Sequence, residues 1–259
     1  MSDMTPPSAE QIVASLGLER CVSSGWVTVA GYGSLMDEQS ARQTSPSLRN
    51  FRHGWVPGFC RVFNLVSIIN IRRGDATGRR LGTCTARRRP GSGLHVCLYE
   101  IPLGELPSLY AREARLRLSE VKYQIDVPPV ALSGHALMFT EYSDADYRRE
   151  RCPSDEAYAQ EVGNFYVGPL YRDDLLPVPG YLYRCARAHK LAGREALTNF
   201  WDVSFLGDGI SCLRSYLEQE LFEVDENPAL ARASGWNLRP EQNAELMLWL
   251  QVDKSLRAC

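Results

Sequence analysis

Hydrophobic positions change rhythm along this chain. Up to about residue 170 the apolar runs are short, β-branched and punctuated by Gly and Pro; from about 175 onward they recur at three- and four-residue spacing. The first habit predicts strands and the second predicts helices. Val27-Thr28-Val29-Ala30 reads as a buried strand that breaks at Gly31-Tyr32-Gly33-Ser34. Phe59 to Ile71, Leu94 to Ile101, Tyr123 to Val127 and Ala136 to Phe139 read as further strands, the last two around Pro128-Pro129. The arginines around Gly74 and Gly78 (Arg72, Arg73, Arg79, Arg80), and Arg87 to Arg89 before Pro90-Gly91, read as hairpin ends or solvated loops.

Helical signals frame these strands. Ser8 followed by Gln11 has the form of a capping box, with Ile12, Val13 and Leu16 as an apolar stripe and Gly17 as the stop. Residues 37 to 50 are polar and read as a loop with a short helix. Leu106, Leu109, Tyr110, Glu113 and Leu116 fall at helical spacing, which sets Glu113 on or beside an apolar face. Ser154 to Val162 reads as a capped helix. Tyr181, Arg184 and Cys185 share a face, Ala188 to Phe200 reads as helix with a break near Gly193, and Leu213, Leu217 and Leu221 repeat every four residues. Pro240 fits a first helical position, with Leu246, Trp249, Leu250 and Leu256 as a packing face.

Composition narrows the class. With 259 residues, 44% apolar and 23% charged, the chain fits a globular fold with a substantial core. A net charge of -2 gives no long-range argument for nucleic acid or an anionic membrane, and the basic runs lack interleaved aromatic platforms. The first residues show no secretory signal and no stretch has membrane-spanning length, so a cytoplasmic location is expected. The eight cysteines (Cys21, Cys60, Cys84, Cys97, Cys152, Cys185, Cys212, Cys259) form no C-x-x-C pair, and most of them read as buried thiols. The four histidines show no metal-ligand spacing, and the glycine loop is neither a Walker A nor a G-x-G-x-x-G motif, so neither metal nor cofactor is expected.

Three features carry candidate chemistry. The Gly31 to Ser34 break permits a tight turn whose N–H groups suit a carboxylate or carbonyl oxygen; the alternative is a structural turn. A carboxyl at Glu113 facing apolar surroundings gains proton affinity; the alternative is an ion pair with Arg112, Arg115 or a partner across the core. Arg61 between Phe59 and Phe63 either snorkels to solvent or meets an anion.

Together these stretches resemble the gamma-glutamyl cyclotransferase-like family, with V-A-G-Y-G-S-L-M similar to the wording of its ChaC-type, glutathione-degrading branch. Gly58 to Phe63 with Arg61, then Ser67 and Arg73-Gly74, resembles that branch's G-x-x-R-x-F…S…R-G pattern. Leu109-Tyr110-Ala111-Arg112-Glu113 followed by Tyr123 resembles the segment bearing the family's catalytic glutamate, and Pro153-Ser154 with Tyr158 loosely resembles a later one. The resemblance spans roughly residues 27 to 185.

The resemblance implies an α+β fold: a mixed β-barrel with flanking helices and a helical C-terminal extension. The chain divides into an N-terminal arm (1–24), a catalytic domain (25–185) and the extension (186–259), which either caps the pocket or forms a homodimer. It implies release of 5-oxoproline and an amine from glutathione or another gamma-glutamyl small molecule, without nucleic-acid or membrane partners. Glu113 would be catalytic, and Tyr32, Gly33, Ser34, Leu35, Arg61 and Tyr123 would bind substrate or orient the glutamate. A non-catalytic binding or scaffold protein on the same fold is the alternative.

Overall fold

The computed structural model describes residues 7–127, 130–152 and 154–257. The Pro128-Pro129 corner, Pro153 and Cys259 lie outside the described residues, as does the side chain of Leu256. Helix α1 (Ala9–Leu16) opens on the Ser8–Gln11 capping box and stops at Gly17, whose φ of 63° is a left-handed conformation that glycine adopts without strain. The short strand β1 (Val22–Ser23) turns into β2 (Trp26–Gly31), and α2 (Glu38–Arg42) follows the glycine loop.

Two long strands dominate the sheet. β3 (Arg49–Val66) and β4 (Gly82–Pro102) pair antiparallel across nearly their full lengths. Pro57-Gly58 on β3 and Pro90 to Gly93 on β4 face each other at one register shift. The punctuation that reads as hairpin ends at Arg87–Gly91 is thus a bulge inside a continuous strand. Between these strands, Ile68 to Arg73 form helix α3 rather than strand: Ser67 Oγ accepts from Asn70 N, and Gly74 at φ 75° closes it. A side-chain cap outweighs the β-branched Ile-Ile-Asn-Ile pattern.

Helix α4 (Leu106–Arg112) leads to β5 (Arg117–Val127) and β6 (Val130–Thr140). β2 pairs antiparallel with β4 and parallel with β6 through Val29–Leu137 and Ala30–Met138. β6 pairs with β5, and β5 meets β3 at Trp55–Gln124. The mixed sheet therefore closes into a strand ring, β2-β4-β3-β5-β6, whose β3–β5 junction is a single pairing. Helices α5 (Asp144–Arg151) and α6 (Asp155–Tyr158) follow.

The helical half comprises α7 (Pro179–Ala192), α8 (Arg194–Asp202), the short strand β7 (Ser204–Phe205), α9 (Leu213–Glu226), α10 (Pro228–Ala233) and α11 (Pro240–Arg257). Gly193, at φ 112°, makes the break between α7 and α8. Helix α7 runs through position 185 without interruption. Strand alternation sends Val27 and Val29 to one buried cluster, with Tyr99, Leu109 and Phe139, and Ala30 to another, with Phe200, Trp201 and Leu217. Two arginines expected in loops are anchors instead: Arg80 is buried and bonds Glu220 of α9 at 2.5 Å, and Arg87 meets Glu141 at 2.9 Å. Among the described residues no helix is long and apolar enough to cross a membrane.

Candidate functional site

Strand β2 ends where bulk is forbidden. A Cβ on Gly31 would sit 2.7 Å from Leu35 Cβ and 2.8 Å from Cys97 Sγ, so only glycine lets the turn fold back on the strand. Ser34 to Met36 form one tight helical turn, with Met36 N donating to Gly33 O at 3.1 Å and Asp37 N to Ser34 O at 3.3 Å. Local bonding stops there: the N–H groups of Gly33, Ser34 and Leu35 meet no acceptor among the described residues. The space expected beside Gly33 for a ligand is partly filled, since a Cβ there would meet the Tyr181 hydroxyl at 3.0 Å and Cys84 Sγ at 3.3 Å.

A recess of about 50 Å³ lies at this loop, lined by Tyr32 to Leu35, Cys84, Glu113 and Tyr181. It shares Ser34, Cys84, Glu113, Leu116 and Tyr181 with an outer cavity of about 700 Å³. The structure therefore brings Tyr32, Gly33, Ser34 and Leu35 together with Glu113, although Glu113 is far away in sequence.

Glu113 arrives there because α4 is shorter than its apolar pattern predicts. The helix ends at Arg112, and Glu113 is its C-terminal cap residue, with its own N–H bonded to Leu109 O at 3.1 Å. Its side chain is 21% exposed and, among the described residues, has one ion pair, to Arg112 Nε at 3.3 Å. Arg112 is itself held by Ser40 O and Thr44 Oγ1. Burial raises the proton affinity of the Glu113 carboxyl, with Arg112 and Arg115 acting in opposition. A raised proton affinity is the direction of shift that suits a carboxyl to proton transfer.

The recess floor is a buried polar cluster. Tyr181 OH lies 3.1 Å from Cys84 Sγ. Burial pushes the Tyr32 and Tyr181 phenols well up, whereas hydrogen bonds from Cys185 and Tyr181 and the nearby Arg61 charge bring the Cys84 thiol down. Sequence reasoning missed Cys84 and Tyr181 as site residues; the shared face of Tyr181, Arg184 and Cys185 on α7 was the available signal.

Two expected site residues do not line the recess or the outer cavity. Arg61 neither snorkels nor awaits an anion: it is fully buried, and its guanidinium is already engaged. Nε donates to Tyr32 O at 2.6 Å, and the terminal nitrogens donate to Asn199 Oδ1 at 3.0 Å and His95 O at 2.7 Å. One of them also lies 2.9 Å from His189 Nε2. Arg61 thus ties the Tyr32 backbone to α7 and α8 and acts as a positioning residue. Tyr123 pairs with Gly134 across β5–β6, its ring covering the glycine, and packs in the cluster of Val121 and Ile125 rather than against Glu113. Among the described residues no group of three His, Cys, Asp or Glu side chains converges as a metal ion would require.

Solved structures similar to this chain include a gamma-glutamyl cyclotransferase, at 13% identity over 67% of this chain and 84% of that one, TM-score 0.44. An uncharacterized protein from Homo sapiens aligns at 14% identity over 68% and 85% of the two chains, TM-score 0.44. A gamma-glutamyl cyclotransferase specific to glutathione from yeast aligns at 14% identity over 68% and 96%, TM-score 0.41. No family model matches the chain, and no curated protein does.

Proposed function

We propose that the protein is a gamma-glutamyl cyclotransferase, converting glutathione or another gamma-glutamyl compound to 5-oxoproline and a free amine. The observation that carries this reading is that one recess is lined both by Glu113 and by Gly33, Ser34 and Leu35, whose N–H groups meet no acceptor among the described residues. The Y-G-S and Arg112-Glu113 motifs support it independently.

The reaction is an intramolecular acyl transfer. The substrate's alpha-amine is the nucleophile, so the protein has to fold the glutamyl chain, pass two protons from the alpha-ammonium to the leaving nitrogen and stabilise one developing oxyanion. Glu113, as carboxylate, takes a proton from the alpha-ammonium. The amine attacks the gamma-carbonyl carbon, and a five-membered ring closes. The loop N–H groups supply donors for the oxygen that gains charge. The bond to the leaving nitrogen then breaks as Glu113 returns the proton to it, and the second proton of the former ammonium passes from the ring nitrogen through the same carboxylate to the released amine, leaving a neutral lactam and an ammonium. Ser34 is not needed as a nucleophile, and among the described residues no histidine lines the recess to activate it.

Release of 5-oxoproline from glutathione, gamma-glutamyl amino acids and gamma-glutamyl amines tests the reading. Glu113→Gln should keep its fold by circular dichroism and lose turnover. Wild-type kcat/KM should rise with pH through a value above the ordinary 4.5 of glutamate, because the base must be ionised and burial has raised its proton affinity. Equal turnover by wild type and variant removes Glu113 from the role. A second reading, a binding protein on the same fold, is favoured by the Arg112–Glu113 ion pair; tight binding of a gamma-glutamyl compound without 5-oxoproline release would select it.

A further inference from the structure

The charge of the outer cavity is left unused by the chemistry at Glu113. Its walls carry five arginines, Arg73 of α3, Arg112, Arg115, and Arg184 and Arg187 of α7, against two carboxylates, Asp37 and Glu113. Arg112 is paired with Glu113, and Arg115 with Glu161 at 3.3 Å. Asp37 is occupied as the cap of α2, accepting from Gln39 N at 2.9 Å. Arg73, Arg184 and Arg187 are exposed, and no carboxylate lies within ion-pair distance of them among the described residues. Arg184 and Arg187 are three positions apart on α7 and therefore share a face. The Arg184 guanidinium lies 5.9 Å from the Tyr181 ring, which floors the recess.

Three uncompensated guanidiniums around one opening repel each other and draw in anions. Each presents a planar fork that matches a carboxylate. A glutamyl group brings one alpha-carboxylate and one ammonium, so it contributes no net negative charge. The matching anions must come from the other side of the scissile bond. Because the cations are carried on two separate helices, they suit carboxylates spaced along a chain better than one compact anion.

We propose that Arg73, Arg184 and Arg187 form a specificity rim that selects donors whose leaving group is an acidic peptide bearing two or more carboxylates. The inference rests on the cyclotransferase reading of the recess.

The test uses the full chain, wild type and R184Q/R187Q, with two donors: gamma-Glu-Glu-Glu and gamma-glutamyl-butylamine. Wild type should favour the acidic donor at least tenfold in kcat/KM, through KM, and the preference should shrink as sodium chloride rises. In R184Q/R187Q the ratio should fall to within about threefold. A wild-type ratio near one, or a ratio that survives the double substitution, overturns the proposal. If neither donor releases 5-oxoproline, the cyclotransferase reading falls and calorimetric binding of the same two compounds decides. Tighter binding of the acidic peptide by tenfold or more, lost in R184Q/R187Q, upholds the rim; equal binding, or none, overturns it.

Discussion

Glu113 and Arg61 are both ionisable groups withdrawn from water, yet their surroundings differ in kind. Arg61 is engaged at every guanidinium nitrogen: two backbone carbonyls, the Asn199 amide oxygen and the His189 ring take up four of its N–H groups. Burial lowers its pKa only to about 10, so it stays charged at neutral pH. With Nδ1 of His189 donating to Cys185 O, Nε2 is left to accept from Arg61. Glu113 has a single ion pair among the described residues and an opening onto a cavity. A buried charge engaged at every polar atom holds structure together. One whose hydrogen-bonding capacity is left open retains the freedom to exchange a proton with a ligand.

The sharpest way to break this contrast is Glu113→Gln. It should lower turnover on the order of 100- to 10,000-fold, the span typical of a positioned proton-transfer group, while urea unfolding shifts little. Arg61→Leu should do the reverse in origin. It strands buried carbonyls and should cost about 3 kcal/mol or more in urea-derived stability, as the loss of one member of a buried charged network does. Asn199→Ala is milder. Asn199 accepts from Arg61 and His95 N and donates to Gly93 O, so its removal should cost roughly 1–3 kcal/mol in the same assay.

The smallest effect concerns pH. Burial first, then the His53 and Arg61 charges, lower the His95 pKa from 6.5 to about 4. The unfolded chain therefore takes up a proton before the folded one does. Stability from this group is complete above pH 6.5 and is lost as pH falls toward 4. In His95→Gln the unfolding free energy should decline less steeply over that window; an unchanged slope would remove His95 from the acid response.

Much of the frame was legible because its determinants are local. The Ser8–Gln11 box, the Gly193 break and the Leu213-Leu217-Leu221 face each need only a few neighbouring residues, and each is found where expected. The long β3–β4 ladder was not, because Pro57-Gly58 and Pro90 to Gly93 look like chain reversals until their partners are known. The same holds at the site. The Y-G-S loop and Glu113 were visible as motifs. The fate of Arg61 depended on Asn199, 138 positions away, and the contribution of Tyr181 on a helix beyond the strand ring. Charge satisfaction is a property of tertiary neighbours, which residue spacing does not encode.

The parallel pairing of β2 with β6 also governs how the protein comes into being. The second strand to leave the ribosome cannot complete its bonding until residues 137 and 138 have followed. The recess must wait longer still, for Tyr181, and the clamp behind it for Asn199. Such distant closures slow folding. The nascent Tyr32 loop therefore spends most of synthesis as an unfinished edge, and competence arrives late, when α7 and α8 dock. A chain stopped after β6 would contain the Y-G-S loop and Glu113 and still lack the wall that holds them in place.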